Sequence, residues 1–340
     1  MKLYRAGALP NLRSTTLFHA LAYLGYEALI ITSPAETYVS VGYFDRTPEI
    51  IDLKKCAERG IPVIRREVGG GAVLLDPYQV FYQVIVSRRS RKLPFKIEDA
   101  YKLLSEPVIR AYRRMGVDVL YRPVSDIAVR SNGRKIGGQG AGDIGSCFVF
   151  VGGILLRFDT KLMAELFKVP EESFRERLRT SLEENLSWVE RETGRLPTYG
   201  EVEDILVEEF SNLFDLEEEE IPREAISLAD ELKRKFTSRK TLLEDTGRRY
   251  RAVKIREGVF LRSGVHKTEK GVIKVEVSVR EGRVEKVVIS GDFELGDLAD
   301  ALVGVSFERE SIKEKLEEFV RKNKDGTPGT EDLLRAIYGD

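Results

Sequence analysis

Cysteine, histidine and tryptophan are scarce: 340 residues hold two cysteines, two histidines and one tryptophan. Cys56 and Cys147 are isolated, form no CxxC and have no histidine neighbours, which excludes a disulfide scaffold and argues against a zinc site. A reducing cytoplasm is the expected location. His19, on a helix-like stretch, and His266 are too isolated to suggest metal ligation or general-base duty. Charge of one sign is also missing, since 55 basic and 56 acidic residues leave a net charge of -1. No global field exists to hold a nucleic acid or an anionic membrane, so neither is an expected partner and any polyanion site must be local. No run approaches the roughly 18 apolar residues of a membrane span, and MKLYRAGALP lacks the apolar core and cleavage site of a signal peptide. No internal repeat or low-complexity stretch is present.

What the chain does have is apolar content of 42%, ample for real cores, and a length that suggests more than one domain. The 33% charged content, alternating in sign and paired with little Asn or Gln, is a balance common in heat-stable proteins. EALIITSPAETYVSVG reads as two β segments broken at Ser33-Pro34, EIIDLKKCAERG as a helix closed by Gly60, and IPVIRR, AVLLD and FYQVIVSRR as strands. IEDAYKLLSEPVIRAYRRMG has helical periodicity up to Gly116. CFVFVGGILLRF reads as a fully buried strand, and residues 160–238 as mainly helical with solvated charged faces. Beyond Thr246-Gly247 the texture returns to strands, with a hairpin at Glu281-Gly282 and two further helices. These patterns predict two domains: a larger unit over 1–246 and a small α+β unit over 247–340.

Two segments carry the chemistry. RREVGGGAV places Gly69, Gly70 and Gly71 between strands, where glycine weakens a sheet unless the backbone must approach something closely or take positive φ. An anion held by backbone N–H groups, with Arg65 or Arg66 adding charge, is one reading; a tight turn is the other. The loop is neither a Walker loop nor a dinucleotide-binding fingerprint. In SDIAVRSNGRKIGGQG, Asn132-Gly133 is a strong hairpin signal. With those two as the loop, Arg130 faces Lys135, and Asp126, Ala128, Arg130, Lys135 and Gly137 share one face. Asp126 and Lys135 are then about 13 Å apart, beyond a direct ion pair unless the lysine leans, but bridgeable by a charged ligand lying on Ala128 and Gly137. A solvated hairpin with a basic tip is the alternative.

At these residues the chain resembles the lipoate-protein ligase A family, within the wider biotin and lipoate ligase fold. The resemblance rests on the two arginines and GGGAV, on SDIAVRSNGRKIGG some sixty residues later, on the upstream YVSVGYFD, and on the C-terminal GVIKVEVSVREGRVEKVVISGDFEL and LADALVG, which look like the family's accessory domain. It implies an α+β fold with a mixed, largely antiparallel sheet and a small α+β accessory domain. It also implies an enzyme that uses ATP and Mg2+ to activate lipoic acid, or octanoate, as acyl-AMP and passes the acyl group to a lysine of a lipoyl-domain or H-protein-like carrier. Carried over by position, Lys135 corresponds to the essential lysine at the acyl carbonyl and α-phosphate. Gly69, Gly70, Gly71 and Ala72 correspond to the loop lining the channel, Arg66 to a basic contact there, Gly137 and Gly138 to the Ser-Gly after the lysine, with Gly137 in place of the serine, and Asp126 to the acid near phosphate and metal. Adenylation develops negative charge that a fixed ammonium, backbone donors and a cation stabilise, so no protein nucleophile is required.

Four further positions depart from the family pattern: Val68 replaces a serine, Leu75 a histidine, Gln139 stands in the usual Ser-Gly-Ser-Ala, and Val151 replaces the histidine before Gly152. These bear on acid and carrier choice more than on adenylation. One alternative is an ATP-independent octanoyl or lipoyl transferase of the same fold, which needs a cysteine nucleophile; Ser125 and its neighbours supply none, and Cys56 and Cys147 read as small core residues. A non-catalytic carrier-binding homologue is the other. Biotin ligation lacks its basic GRGRxGR-type loop.

Overall fold

The computed structural model describes residues 1–90, 92–94, 96–245, 252–268, 271–293, 295–323 and 327–338; the expected boundary at Thr246-Gly247 falls outside them. Strand β1 (Lys2–Leu9) leads into helix α1 (Arg13–Tyr23), then β2 (Ala28–Pro34) and β3 (Tyr38–Val41). Short helices α2 (Thr47–Ile50) and α3 (Leu53–Glu58) precede β4 (Val63–Arg65), β5 (Val73–Leu75) and β6 (Gln79–Ser87). Helix α4 (Ile97–Arg114) is followed by β7 (Val119–Arg122), β8 (Asp126–Val129), β9 (Lys135–Ile144) and β10 (Cys147–Leu155). Next come α5 (Thr160–Leu166), α6 (Glu172–Asn185), α7 (Val189–Thr193), α8 (Tyr199–Ser211), β11 (Glu217–Glu218), α9 (Arg223–Phe236) and α10 (Arg239–Leu243). The C-terminal part comprises β12 (Ala252–Arg256), β13 (Val259–Thr268), β14 (Gly271–Arg280), β15 (Arg283–Gly291), α11 (Gly296–Leu302), α12 (Arg309–Lys322) and α13 (Thr330–Tyr338).

Local chemistry explains several of these boundaries. Asp52 caps α3 by accepting the Lys55 N–H, and Gly60 just beyond it takes φ +65°. Helix α4 carries Glu98 and Asp99 in its first turn and Arg113 and Arg114 in its last, matching its dipole at both ends. Strands β1 and β7 and helix α13 are not anticipated from pattern alone.

Among the described residues the main sheet runs β11-β1-β2-β6-β10-β9-β8-β7, parallel at β11-β1-β2 and antiparallel elsewhere. The fold is therefore α+β with a mixed sheet. One face is covered by α4 and α8, whose Tyr101, Leu104, Val108, Tyr112, Ile205 and Phe210 pack on Tyr82, Val84, Phe148 and Phe150. The other face takes α1, through Leu17, Phe18 and Leu21 on Ile30, Ile85 and Val149. A three-stranded sheet, β4-β3-β5, carries the triple glycine between β4 and β5.

Two compact units result: Met1–Lys168 with Arg179–Arg248, and Val169–Leu178 with Arg249–Asp340. The division falls inside α6. The second unit is an antiparallel sheet, β12-β13-β14-β15, whose Ile273, Val275, Val277 and Val279 pack on α11, α12 and α13. Glu281 and Gly282, at φ +48° and +75°, form the expected two-residue turn between β14 and β15. No helix among the described residues is long and apolar enough to cross a membrane.

Candidate functional site

The hairpin that bears Lys135 is wider than the sequence suggests. Gly133 donates to the Val129 carbonyl at 2.8 Å and Val129 to that of Arg134 at 2.9 Å, so the turn spans more than Asn132-Gly133. Lys135 then pairs with Ala128, not Arg130, and a β-bulge between Ile127 and Ala128 sets Asp126 opposite Gly138. That extra residue shifts the alternation, because two residues of one strand then face one of the other. Gly138, not Gly137, shares a face with Lys135 and Asp126. Gly137 turns to the α4 side, where a Cβ would meet the Tyr112 hydroxyl at 3.1 Å and Ile127 at 3.5 Å.

The direct ion pair that the strand separation allows only if the lysine leans is formed. Lys135 Nζ lies 2.8 Å from Asp126 Oδ1, with the carboxylate fully buried and the lysine side chain 22% exposed. The contact is close without the alignment of a hydrogen bond, so charge rather than direction holds it. The lysine leans because Gly138 has no side chain: a Cβ there would sit 3.1 Å from Lys135 Cε and 3.2 Å from Nζ. Ser187 N–H donates to the Lys135 carbonyl at 2.7 Å, fixing the start of β9 from the segment after α6.

The triple-glycine loop lies along the same face of β9. Gly69 N–H donates to the Ala141 carbonyl at 3.2 Å, and a Cβ on Gly140 would come within 2.9 Å of the Gly69 carbonyl oxygen. Two residues of strand, about 7 Å, separate Gly138 beneath the lysine from Gly140 beneath the loop. Gly70 takes φ +96°, where a side chain would be strained and would meet the Arg66 guanidinium at 2.8 Å. Gly71 is exposed and Ala72 half-buried at the outer side.

Arg66, expected as a basic contact at the loop, is held by the loop itself. It is 8% exposed and donates to the carbonyls of Ser40, Gly69 and Gly71 at 2.9, 3.0 and 2.8 Å, and to Ser40 Oγ at 3.2 Å. Burial pulls its pKa down to about 10, still charged at neutral pH. The guanidinium turns loop carbonyls inward and places a buried positive charge behind the glycines, a favourable environment for an anion on the other side. Arg65 is spent similarly, on the carbonyls of Tyr43, Thr241 and Glu244.

Asp126, expected near phosphate and metal, is out of solvent and faces the ammonium of Lys135; among the described residues no group of three or more His, Cys, Asp or Glu is arranged to hold an ion. The departures from the family pattern are mostly core positions. Val68 is fully buried in the α1 cluster, and Gln139 points to the opposite face, between Ser105 Oγ at 3.0 Å and the Tyr82 hydroxyl at 3.2 Å. Leu75 packs beside Tyr38 and Ile64, and Val151 is half-buried against the α1 cluster.

Both cysteines are buried, and burial raises both thiols, Cys56 to about 11. Cys147 pairs with Ile144 at the far end of β9, six residues or about 20 Å along the strand from Gly138. Sequence reasoning missed His19, which accepts the Glu67 N–H at 3.0 Å, and Ser187. A polar side chain on the apolar face of α1 was the signal for the first; nothing in the local pattern marks the second.

The structure thus presents a lysine and a glycine loop on one face of a glycine-rich strand in a mixed sheet. The chain belongs to the lipoyl protein ligase A/B catalytic domain family, which matches residues 14–211, and residues 260–337 match the bacterial lipoate protein ligase C-terminus. An octanoyltransferase LipM of Oceanobacillus iheyensis is 27% identical over 197 residues, 54% of this chain and 72% of that one. The LipM of Kyrpidia tusciae is 28% identical over 220 residues, 58% and 80% of the two chains. Among solved structures, the bipartite lipoate protein ligase of Thermoplasma acidophilum, described with its E2 lipoyl domain, superposes with a TM-score of 0.63 at 23% identity over 73% of this chain and 98% of that one. A lipoate-protein ligase A bound with ATP gives 0.58 at 23%, covering 72% and 98%. At these identities the superpositions establish the fold.

Proposed function

We propose that the chain is an ATP-dependent lipoate-protein ligase, with residues 1–246 as the catalytic domain and 247–340 as an accessory lid. One observation carries this reading: the ammonium of Lys135 is fixed over a glycine floor beside a loop backed by a buried guanidinium, while both thiols are buried and Cys147 lies at the other end of the strand. That arrangement suits charge stabilisation and not thiol attack. In the first step a carboxylate oxygen of lipoate, or octanoate, attacks the α-phosphorus of ATP, and the bond to the β-phosphate oxygen breaks to release pyrophosphate. Lys135 and the loop of Gly70, Gly71 and Ala72 face the developing charge. In the second, the lysine amine of a lipoyl-domain or H-protein-like carrier attacks the acyl carbonyl, AMP leaves, and the amine proton passes to water.

The carriers and ATP are named on the likeness to the Thermoplasma ligase and the ATP-bound ligase A. A second reading, an ATP-independent octanoyltransferase, is favoured by the names of the LipM relatives. Pyrophosphate release measured with lipoate and ATP, against acyl transfer from an octanoylated carrier without ATP, separates them. Release that requires lipoate supports the ligase; transfer without nucleotide refutes it.

A further inference from the structure

His19 is fully buried on α1 and touches the stretch that opens the glycine loop. Its Nε2 receives the Glu67 N–H at 3.0 Å, so this nitrogen is the acceptor and the ring proton sits on Nδ1, which donates to the Thr15 carbonyl at 2.8 Å. The ring stacks on Phe18 at 4.0 Å and meets the edge of Phe236 from α9 at 4.8 Å, so its orientation is fixed on both sides. Glu67 is held again through its carboxylate, by the Tyr23 hydroxyl of α1 and by Lys235 Nζ of α9 at 3.2 Å. Three residues on two helices thus fix the residue immediately before Val68 and the glycines. We infer that His19 is a positioning residue: as a neutral Nδ1–H tautomer it locks the Glu67 backbone and thereby sets where the triple-glycine loop presents its N–H groups.

The surrounding charges suit a neutral ring. Burial, with Arg66 and Lys235 nearby, pulls the imidazole pKa down to about 4, against opposing pulls from the Thr15 carbonyl and from Glu67. Protonation would set an N–H against the Glu67 N–H, so the lock needs the uncharged form. Nothing about the ring calls for a ligand of its own; it acts through the loop, and the inference rests on the loop being a ligand wall.

Side-chain mimicry gives the test. In the full chain, His19→Gln places an acceptor near the Nε2 position, His19→Asn reaches only the Nδ1 position, and His19→Leu supplies neither. Backbone amide exchange of residues 67–71, and affinity for ATP and for lipoic acid by calorimetry, are read below the melting point of each variant. The expected result is at least tenfold faster exchange and roughly tenfold weaker ligand affinity in His19→Leu and His19→Asn, with His19→Gln restored to near the parent. Unchanged exchange in His19→Leu, or equal rescue by Asn and Gln, overturns the inference. Exchange needs no nucleotide, so a chain that binds lipoic acid but not ATP fails the ligase reading while leaving this one decided.

Discussion

Replacing Lys135 with alanine should injure stability and chemistry by separable amounts. The ammonium lies 2.8 Å from a carboxylate with no solvent exposure. At an effective dielectric of about 20, the Coulomb attraction at that distance is about 6 kcal/mol before desolvation is subtracted. Removing one member of a buried ion pair costs about 3–5 kcal/mol, because the remaining charge loses its counter-charge in a site that water does not reach. Lys135→Ala is therefore expected to lower the melting temperature by on the order of 10 °C, measured calorimetrically with urea melts as a check. Asp126→Asn combined with Lys135→Ala removes both charges and should regain most of that loss. It should not regain activity: lipoate-dependent pyrophosphate release should stay roughly 10²–10³-fold below the parent, as for loss of a preorganised electrostatic group. A single variant as stable as the parent would refute the buried-pair reading. A doubly substituted protein with near-parent activity would refute the role of the ammonium.

Gly138→Ala puts a methyl 3.1 Å from Lys135 Cε and should displace the lysine from Asp126, cutting turnover and lowering the melting temperature by part of the Lys135→Ala loss. Gly140→Ala puts one 2.9 Å from the Gly69 carbonyl oxygen and should act on the loop instead, weakening acid and nucleotide affinity in titrations. Two buried groups oppose one another with pH. His19 is held down from 6.5 to about 4, so its contribution is full above pH 6.5 and is lost as pH falls through that window; Asp76, raised by burial from 3.8 to about 6, makes stability fall as pH rises from about 4 to 6. Each amounts to roughly 3 kcal/mol, so they nearly cancel in the parent. Relative to it, Asp76→Asn should show urea midpoints rising more steeply from pH 4 to 6 and His19→Gln midpoints that fall; parallel curves for all three would contradict both assignments. Deleting residues 247–340 should impair adenylation, and it also removes the partners of Phe174 and Leu178, which are buried and belong with that unit, so a melting-temperature loss should accompany it. Full pyrophosphate release by the truncated chain would remove the case for a lid.

Sequence by itself determined the element types wherever one period dominated. The apolar run of β6 is buried along almost its whole length, whereas β10, expected to be fully buried, is buried over Cys147–Phe150 and at Ile154 and half-buried elsewhere; α4 shows helical spacing with matched terminal charges, and Glu281-Gly282 makes its two-residue turn. It also drew together the right stretches, since RREVGGGAV and the strand after Asn132-Gly133 do meet on one sheet face. Tertiary structure decided what the side chains there do. A single bulged residue is a register event invisible to alternation counting, yet it exchanges Gly137 for Gly138 and brings Lys135 onto Asp126. Arg66 is the same lesson: sequence fixes that a cation adjoins the glycines, but only the fold of β3 and the loop decides that carbonyl oxygens surround it. His19, almost fifty residues before the loop, is joined to it solely by the packing of α1. Local sequence sets periodicity, turns and charge through interactions between near neighbours; register, buried pairing and long-range anchoring depend on which surfaces the whole chain must cover.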